Sequence, residues 1–150
     1  MADQEKTPGV KVFVYGTLLT GYYNHRLVEE LVRATDVGVV SDFRLLDLGA
    51  FPGARPADGF GIRGEVLTLD DPREAIQRLD RLEGVPSLYT REKVRVALDD
   101  GTFTAAYMYV LAVRESRGNF TPFIEATEGG ADSWRKHSPP RTLRGYAGRG

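Results

Sequence analysis

Cysteine is missing from all 150 residues, so no disulfide, thiolate metal site or cysteine nucleophile can form. Histidine is nearly missing: His25 and His137 lie far apart and match no metal-ligand spacing. No apolar run reaches the roughly 18 residues of a membrane span, and Met1-Ala-Asp-Gln-Glu-Lys carries no apolar signal segment, so a cytoplasmic protein is expected. Charge of one sign is not in excess either. With 20 basic against 21 acidic residues the chain lacks the overall basic footprint of a nucleic-acid binder. No internal repeat is present. Gly16-Thr17 is not followed by the second glycine and Lys-Ser/Thr of a phosphate loop, and no Gly-x-Ser-x-Gly marks a serine nucleophile. Any chemistry here must run on oxygen and nitrogen groups.

What is present suits one packed domain: 41% hydrophobic and 10% aromatic residues over a length that holds a single core. Residues 1–9 read as a loose leader, residues 10–136 as the domain, and residues 137–150 as a basic, glycine- and proline-containing tail. Residues 144–149 of that tail are read as a solvated end rather than an RNA contact. Val10-Lys-Val-Phe-Val14 alternates like a strand and stops at Tyr15-Gly16-Thr17. In residues 23–34, Leu27, Val28, Leu31 and Val32 form one apolar arc and predict a helix. Residues 37–48 predict a strand or two, residues 49–61 a Gly/Pro loop anchored by Phe51 and Phe60, and residues 62–69 another strand. Asp70-Asp71-Pro72 opens a second helix with an acidic cap, and Gly84 closes it. Residues 90–98 and 102–111 alternate around Asp99-Asp100-Gly101, a hairpin signal. Several strands with two main helices in irregular order predict an α+β fold.

Within the second helix, Glu83 stands out. With Ile76 at 0° and 100° per residue, Leu79 falls at about 300°, Ala75 at about 260°, Leu82 at about 240° and Glu83 at about 340°. Glu83 therefore lies inside the apolar arc, opposite Arg73, Glu74, Gln77, Arg78 and Arg81. Burial and the negative end of the helix dipole both raise the pKa of such a carboxyl, which suits it to general acid–base work. The competing reading is a helix-end glutamate turned to water or paired with Arg81.

Tyr15-Gly16-Thr17-Leu18 ends the first strand, and a glycine turn there can present backbone N–H groups to an anion or oxyanion. Asn24 falls in the apolar arc of residues 23–34 and His25 at its edge; a hydrogen-bonded turn role competes with a site role for each. Tyr89 and Arg91 follow Glu83 closely and could line the same cleft.

Together, Phe13-Val-Tyr15-Gly16-Thr17-Leu18, Leu79-Asp80-Arg-Leu82-Glu83-Gly84 and Tyr89-Thr-Arg91 resemble the γ-glutamylcyclotransferase-like (AIG2-like) family. Gly64-Glu-Val66, Ala106-Tyr-Met-Tyr109-Val and Asp132-Ser-Trp134 extend the resemblance over roughly residues 11–136. It implies a small mixed-strand barrel or roll with two main helices around a cavity. It also implies an activity in which the α-amine of a γ-glutamyl group attacks its own γ-carbonyl, releasing 5-oxoproline and an amine or amino acid. Glu83 would transfer the proton. Tyr15, Gly16, Thr17, Leu18, Asn24 and Tyr89 would bind the substrate. No cofactor or metal would be needed, and the partner would be a small γ-glutamyl molecule rather than nucleic acid or membrane. Gly-Thr-Leu replaces the Gly-Ser-Asn-Leu of the glutathione- and dipeptide-acting vertebrate enzymes, so the chain is more similar to the γ-glutamylamine branch. A non-catalytic small-ligand binder on the same fold is the alternative.

Overall fold

The computed structural model describes residues 8–112 and 123–140; most of the expected leader and tail lies outside them. Five strands close a barrel. β1 (Val10–Val14) pairs antiparallel with β3 (Pro52–Leu69) and parallel with β5 (Phe103–Leu111). β5 forms the expected hairpin with β4 (Tyr89–Leu98), and β4 meets β2 (Val32–Asp47) at Gly38 and Val39. The long β2–β3 hairpin returns the sheet to β1 and completes the ring. Of two short strands, β7 (Ala131–Asp132) pairs parallel with β3 at Ile62 and β6 (Thr127–Glu128) pairs antiparallel with β7. The helices are α1 (Pro72–Glu83) and the short α2 (Trp134–His137). No helix among the described residues is long and apolar enough to cross a membrane.

The core gathers Val12, Phe13, Val66 and Leu67 from β1 and β3, Val96 and Met108 from β4 and β5, and Leu79 from α1. Trp134 packs into it from α2, which runs one residue beyond the expected domain edge; His137 reaches Asp47 at 2.9 Å. At the surface of β2, Arg44 stacks between Phe60 and Phe123, with its guanidinium 4.4 Å from each ring centroid. It also donates to Asp132 and to the carbonyl of Ile124, tying the C-terminal segment to the barrel.

Three expectations are corrected. Residues 23–34 do not form an α-helix: two 3₁₀ segments, Tyr23–Leu27 and Glu29–Leu31, lead directly into β2. Their apolar arc is satisfied by local packing of Val28, Leu27 and Leu31, and the β-branched run from Val32 onward finds a strand partner. Residues 49–61 are not simply a loop, because β3 begins at Pro52. Proline is tolerated at the first residue of a strand, and the break around residues 57–60 is taken up by a register shift opposite Asp42. The Asp71 side chain does not cap α1. Asp71 adopts a left-handed conformation (φ 53°) to turn the chain out of β3, while Asp70 pairs with Arg33 at 2.6 Å.

Candidate active site

The turn after β1 is built by short-range bonds. Leu19 N–H donates to the Gly16 carbonyl, and Tyr22 N–H to that of Leu19. Two side chains from the first 3₁₀ segment fasten the turn: Asn24 Nδ2 donates to Thr17 Oγ1 at 3.0 Å, and His25 Nδ1 lies 2.8 Å from the Leu18 carbonyl. From below, Glu65 Oε1 on β3 accepts from the N–H and the hydroxyl of Thr20. Arg135 completes the clamp by donating to the Thr20 carbonyl and to Glu65. His25, nearly buried, is thus a scaffold for the turn.

Opposite the turn, α1 ends as its sequence demands. Gly84 takes the left-handed conformation (φ 65°) that glycine adopts without steric cost. Its N–H donates to Arg81, and the N–H of Val85 donates to Asp80, closing the helix in a Schellman arrangement. That closure leaves Glu83 as the last helical residue, facing a cavity of about 230 Å³. The cavity walls bring together Tyr15, Gly16, Thr17, Leu18, Asn24, Glu83 and Tyr89, all singled out in the sequence.

Burial pushes the Glu83 carboxyl up to about 7, and the neighbouring Asp80 charge adds to the effect. The three phenols on the wall are also raised, chiefly by burial, and stay neutral through the ordinary pH range. Tyr15 Oη donates to the Tyr109 carbonyl at 2.6 Å and accepts from the N–H of Ala54. Tyr89 Oη donates to the Pro52 carbonyl at 2.8 Å, and Tyr109 Oη to Asp80 at 2.7 Å.

Sequence reading missed several walls of this cavity. Tyr109 lies on β5, far from Glu83 in sequence, and entered the reading only within the motif Ala106-Tyr-Met-Tyr109-Val, with no role attached. Pro52 and Phe51 fell in a segment read as loop. Leu82, placed in the buried arc, is 40% exposed and lines the cavity. Arg91 does not line it; its guanidinium is engaged by Asp80 at 2.9 Å. Among the described residues, no cluster of three His, Asp or Glu side chains is placed to hold a metal ion.

Gly16 marks a close approach. A Cβ there would sit 2.6 Å from Cγ and 2.7 Å from Cδ of Pro52, a ring that cannot swing aside. Gly16→Ala should therefore push the turn off Pro52 and distort the cavity wall that both residues form. A rise in KM for a productive substrate of at least about tenfold is expected, since ångström-scale misplacement carries penalties of that order. Steady-state kinetics would check it; an unchanged KM would mean the turn does not shape the site.

A relative from Arabidopsis thaliana is 32% identical over 109 residues, covering 65% of this chain and 57% of its own. The γ-glutamylaminecyclotransferase of Bos taurus is 34% identical over 97 residues, 59% of this chain and 56% of that protein. This chain thus spans little more than half the length of either. The crystal structure of an AIG2-like protein from Mus musculus superposes with a TM-score of 0.68 at 25% identity, covering 81% of this chain and 90% of that one. The model of the γ-glutamyl cyclotransferase, AIG2-like family matches residues 12–130, and the chain belongs to that family.

Proposed function

We propose that the protein is a γ-glutamyl cyclotransferase that converts a γ-glutamyl amide into 5-oxoproline and a free amine. The observation that carries this reading is one carboxyl group, Glu83, raised to about 7 inside a small cavity shared with the turn at residues 15–18. The substrate's α-ammonium is mostly protonated near neutral pH and cannot attack until it loses a proton. Glu83, whose carboxyl is raised to about 7, takes that proton in its ionised form. The α-nitrogen then bonds to the γ-carbonyl carbon, and the carbonyl oxygen becomes an oxyanion. The N–H groups of the turn at residues 16–18 are the donors suited to stabilise it. Glu83 returns its proton to the leaving nitrogen, and as the intermediate collapses the bond to that nitrogen breaks. The ring nitrogen, cationic since the attack, gives its second proton to the freed Glu83 carboxylate, which passes it on to the released amine. The nucleophile and the electrophile share one chain, so folding the substrate into the cavity removes much of the entropic barrier. Thr17, Asn24 and Tyr89 hold the glutamyl portion in this scheme, and a cavity of about 230 Å³ suits a group of that size.

The test is a panel of γ-glutamyl compounds differing in the amine half: α-amino acids, an ε-linked lysine, a polyamine and a simple alkylamine. Release of 5-oxoproline from at least one member, with first-order dependence on enzyme, is the expected result. Saturable binding across the panel without any 5-oxoproline would establish a binding protein instead.

A further inference from the structure

Asp80 stands one turn before Glu83 on α1, and its carboxylate joins two other elements of the barrel. Oδ1 accepts from Tyr109 Oη of β5 at 2.7 Å and from Arg91 Nη1 of β4 at 3.1 Å, and Oδ2 accepts from the same Nη1 at 2.9 Å. Tyr109 and Glu83 line the cavity, whereas Asp80 and Arg91 do not. The carboxylate therefore touches the site through the Tyr109 phenol, and it shares the Arg91 guanidinium with the Tyr107 ring, whose centroid lies 5.4 Å away. We propose that Asp80 is a positioning residue for the reaction assigned to Glu83: it pins the Tyr109 phenol to the cavity wall and sets a carboxylate, shared with Arg91, one helical turn from Glu83. The proposal rests on that assignment.

The consequence for proton transfer follows from the charges near Glu83. Asp80 on α1 faces it as an anion; Tyr15 of the turn after β1, Tyr89 of β4 and Tyr109 of β5 face it as neutral phenols; Arg91 reaches the group only through Asp80. An anion beside a half-buried carboxyl strengthens that carboxyl's hold on a proton. Asp80 thus acts on Glu83 by its own charge, and Arg91, paired with that charge, offsets part of it. A tie that only held α1 to the β4–β5 hairpin would leave the Glu83 titration unmoved.

The experiment reads Glu83 directly. In protein labelled with ¹³C-glutamate, the Glu83 carboxyl is assigned as the resonance lost in Glu83→Gln, and its titration is followed without substrate. A midpoint near 7 is expected in the wild type. Asp80→Asn should lower it by about one unit, and Arg91→Gln, which leaves the Asp80 charge uncompensated, should raise it by about half a unit. The acid limb of the pH–rate profile should move the same way in each variant, with kcat changing more than KM. Midpoints that stay put in both folded variants would overturn the proposal and leave a structural tie. Should Asp80→Asn fail to fold, Arg91→Gln decides alone: a raised midpoint supports the proposal and an unmoved one overturns it. The titration and the turnover panel can fail separately. Shifted midpoints without 5-oxoproline would refute the activity while upholding the coupling, and turnover with unmoved midpoints would refute the coupling alone.

Discussion

Glu83→Gln should abolish nearly all turnover, by roughly the 10²–10⁴ typical of general acid–base catalysis, while the protein stays folded and still binds a γ-glutamyl compound within about tenfold. The amide matches the carboxyl in shape, so packing at the end of α1 survives, and the Schellman closure at Gly84 is untouched. What is lost is the ability to accept the α-ammonium proton. Stability provides a second, independent reading. The ordinary value of the carboxyl is 4.5 and its folded value is about 7, so between these pH values the folded state holds a proton that the unfolded state has released. The contribution of Glu83 to folding stability therefore falls as pH rises from about 4.5 to about 7 and levels off above it. In Glu83→Gln that fall disappears. The variant should match the wild type at pH 4 and exceed it by about 1–3 kcal/mol at pH 8. Denaturant melts at both pH values would check this. Near wild-type 5-oxoproline release by a folded variant would remove Glu83 from the mechanism.

Gly64→Ala should be among the most damaging single-methyl additions to the barrel. The added Cβ would meet Cζ of Phe13 at 2.7 Å and would press on the backbone carbonyl of Val14. Neither can retreat cheaply. Phe13 is a fully buried core side chain, and β1 is gripped by β3 on one edge and β5 on the other. Overpacking of this kind costs about 1–3 kcal/mol, and the rigid neighbours place this site at about 3. For a chain of this size that corresponds to a drop in Tm of about 6–12 °C. Thermal melts followed by circular dichroism would measure it. Because β1 runs straight into the turn at residues 15–18, residual activity at low temperature should also fall. A Tm within about 2 °C of wild type would contradict the tight approach of β1 and β3.

The sequence reading was strongest where structure is local. The β4–β5 hairpin, the closure of α1 at Gly84 and the inward place of Glu83 all follow from residues within a few positions of one another, and the fold reproduces them. It failed where long-range pairing overrides local propensity. Pro52 and the glycines near it look like turn residues, yet they sit in β3. Gly53 is small because Leu111 packs against its backbone: a Cβ there would lie 2.5 Å from Cδ1 of Leu111. Nothing within ten residues of Gly53 announces that neighbour. The arc of residues 23–34 fits a helix equally well on a wheel, and only the presence of β3 as a partner turns Val32 onward into strand. Asp80 was visible in principle. At about 40° on the wheel that places Glu83 at about 340°, it flanks the same face. Its partners Tyr109 and Arg91 come from a hairpin whose docking on α1 no helical wheel can show.

Carbonyls and carboxylates cannot donate, so the direction of each phenol bond in the cavity is fixed. The hydroxyl protons of Tyr15, Tyr89 and Tyr109 point respectively to the Tyr109 carbonyl, the Pro52 carbonyl and Asp80. None is left to give to a guest. Towards a ligand, the aromatic side of the cavity can offer only lone pairs, and it can greet only a proton-rich group. A ligand entering this space would meet a polarised chamber, receptive on the phenol side, with outgoing hydrogen bonds left to the peptide groups, the Thr17 hydroxyl and the Asn24 amide across from it. Under the proposed activity, such a chamber would select the way round a γ-glutamyl group lies: ammonium towards the phenols, carbonyl oxygen towards the turn. The orientation needed for ring closure would then be set by which groups have already given their protons away.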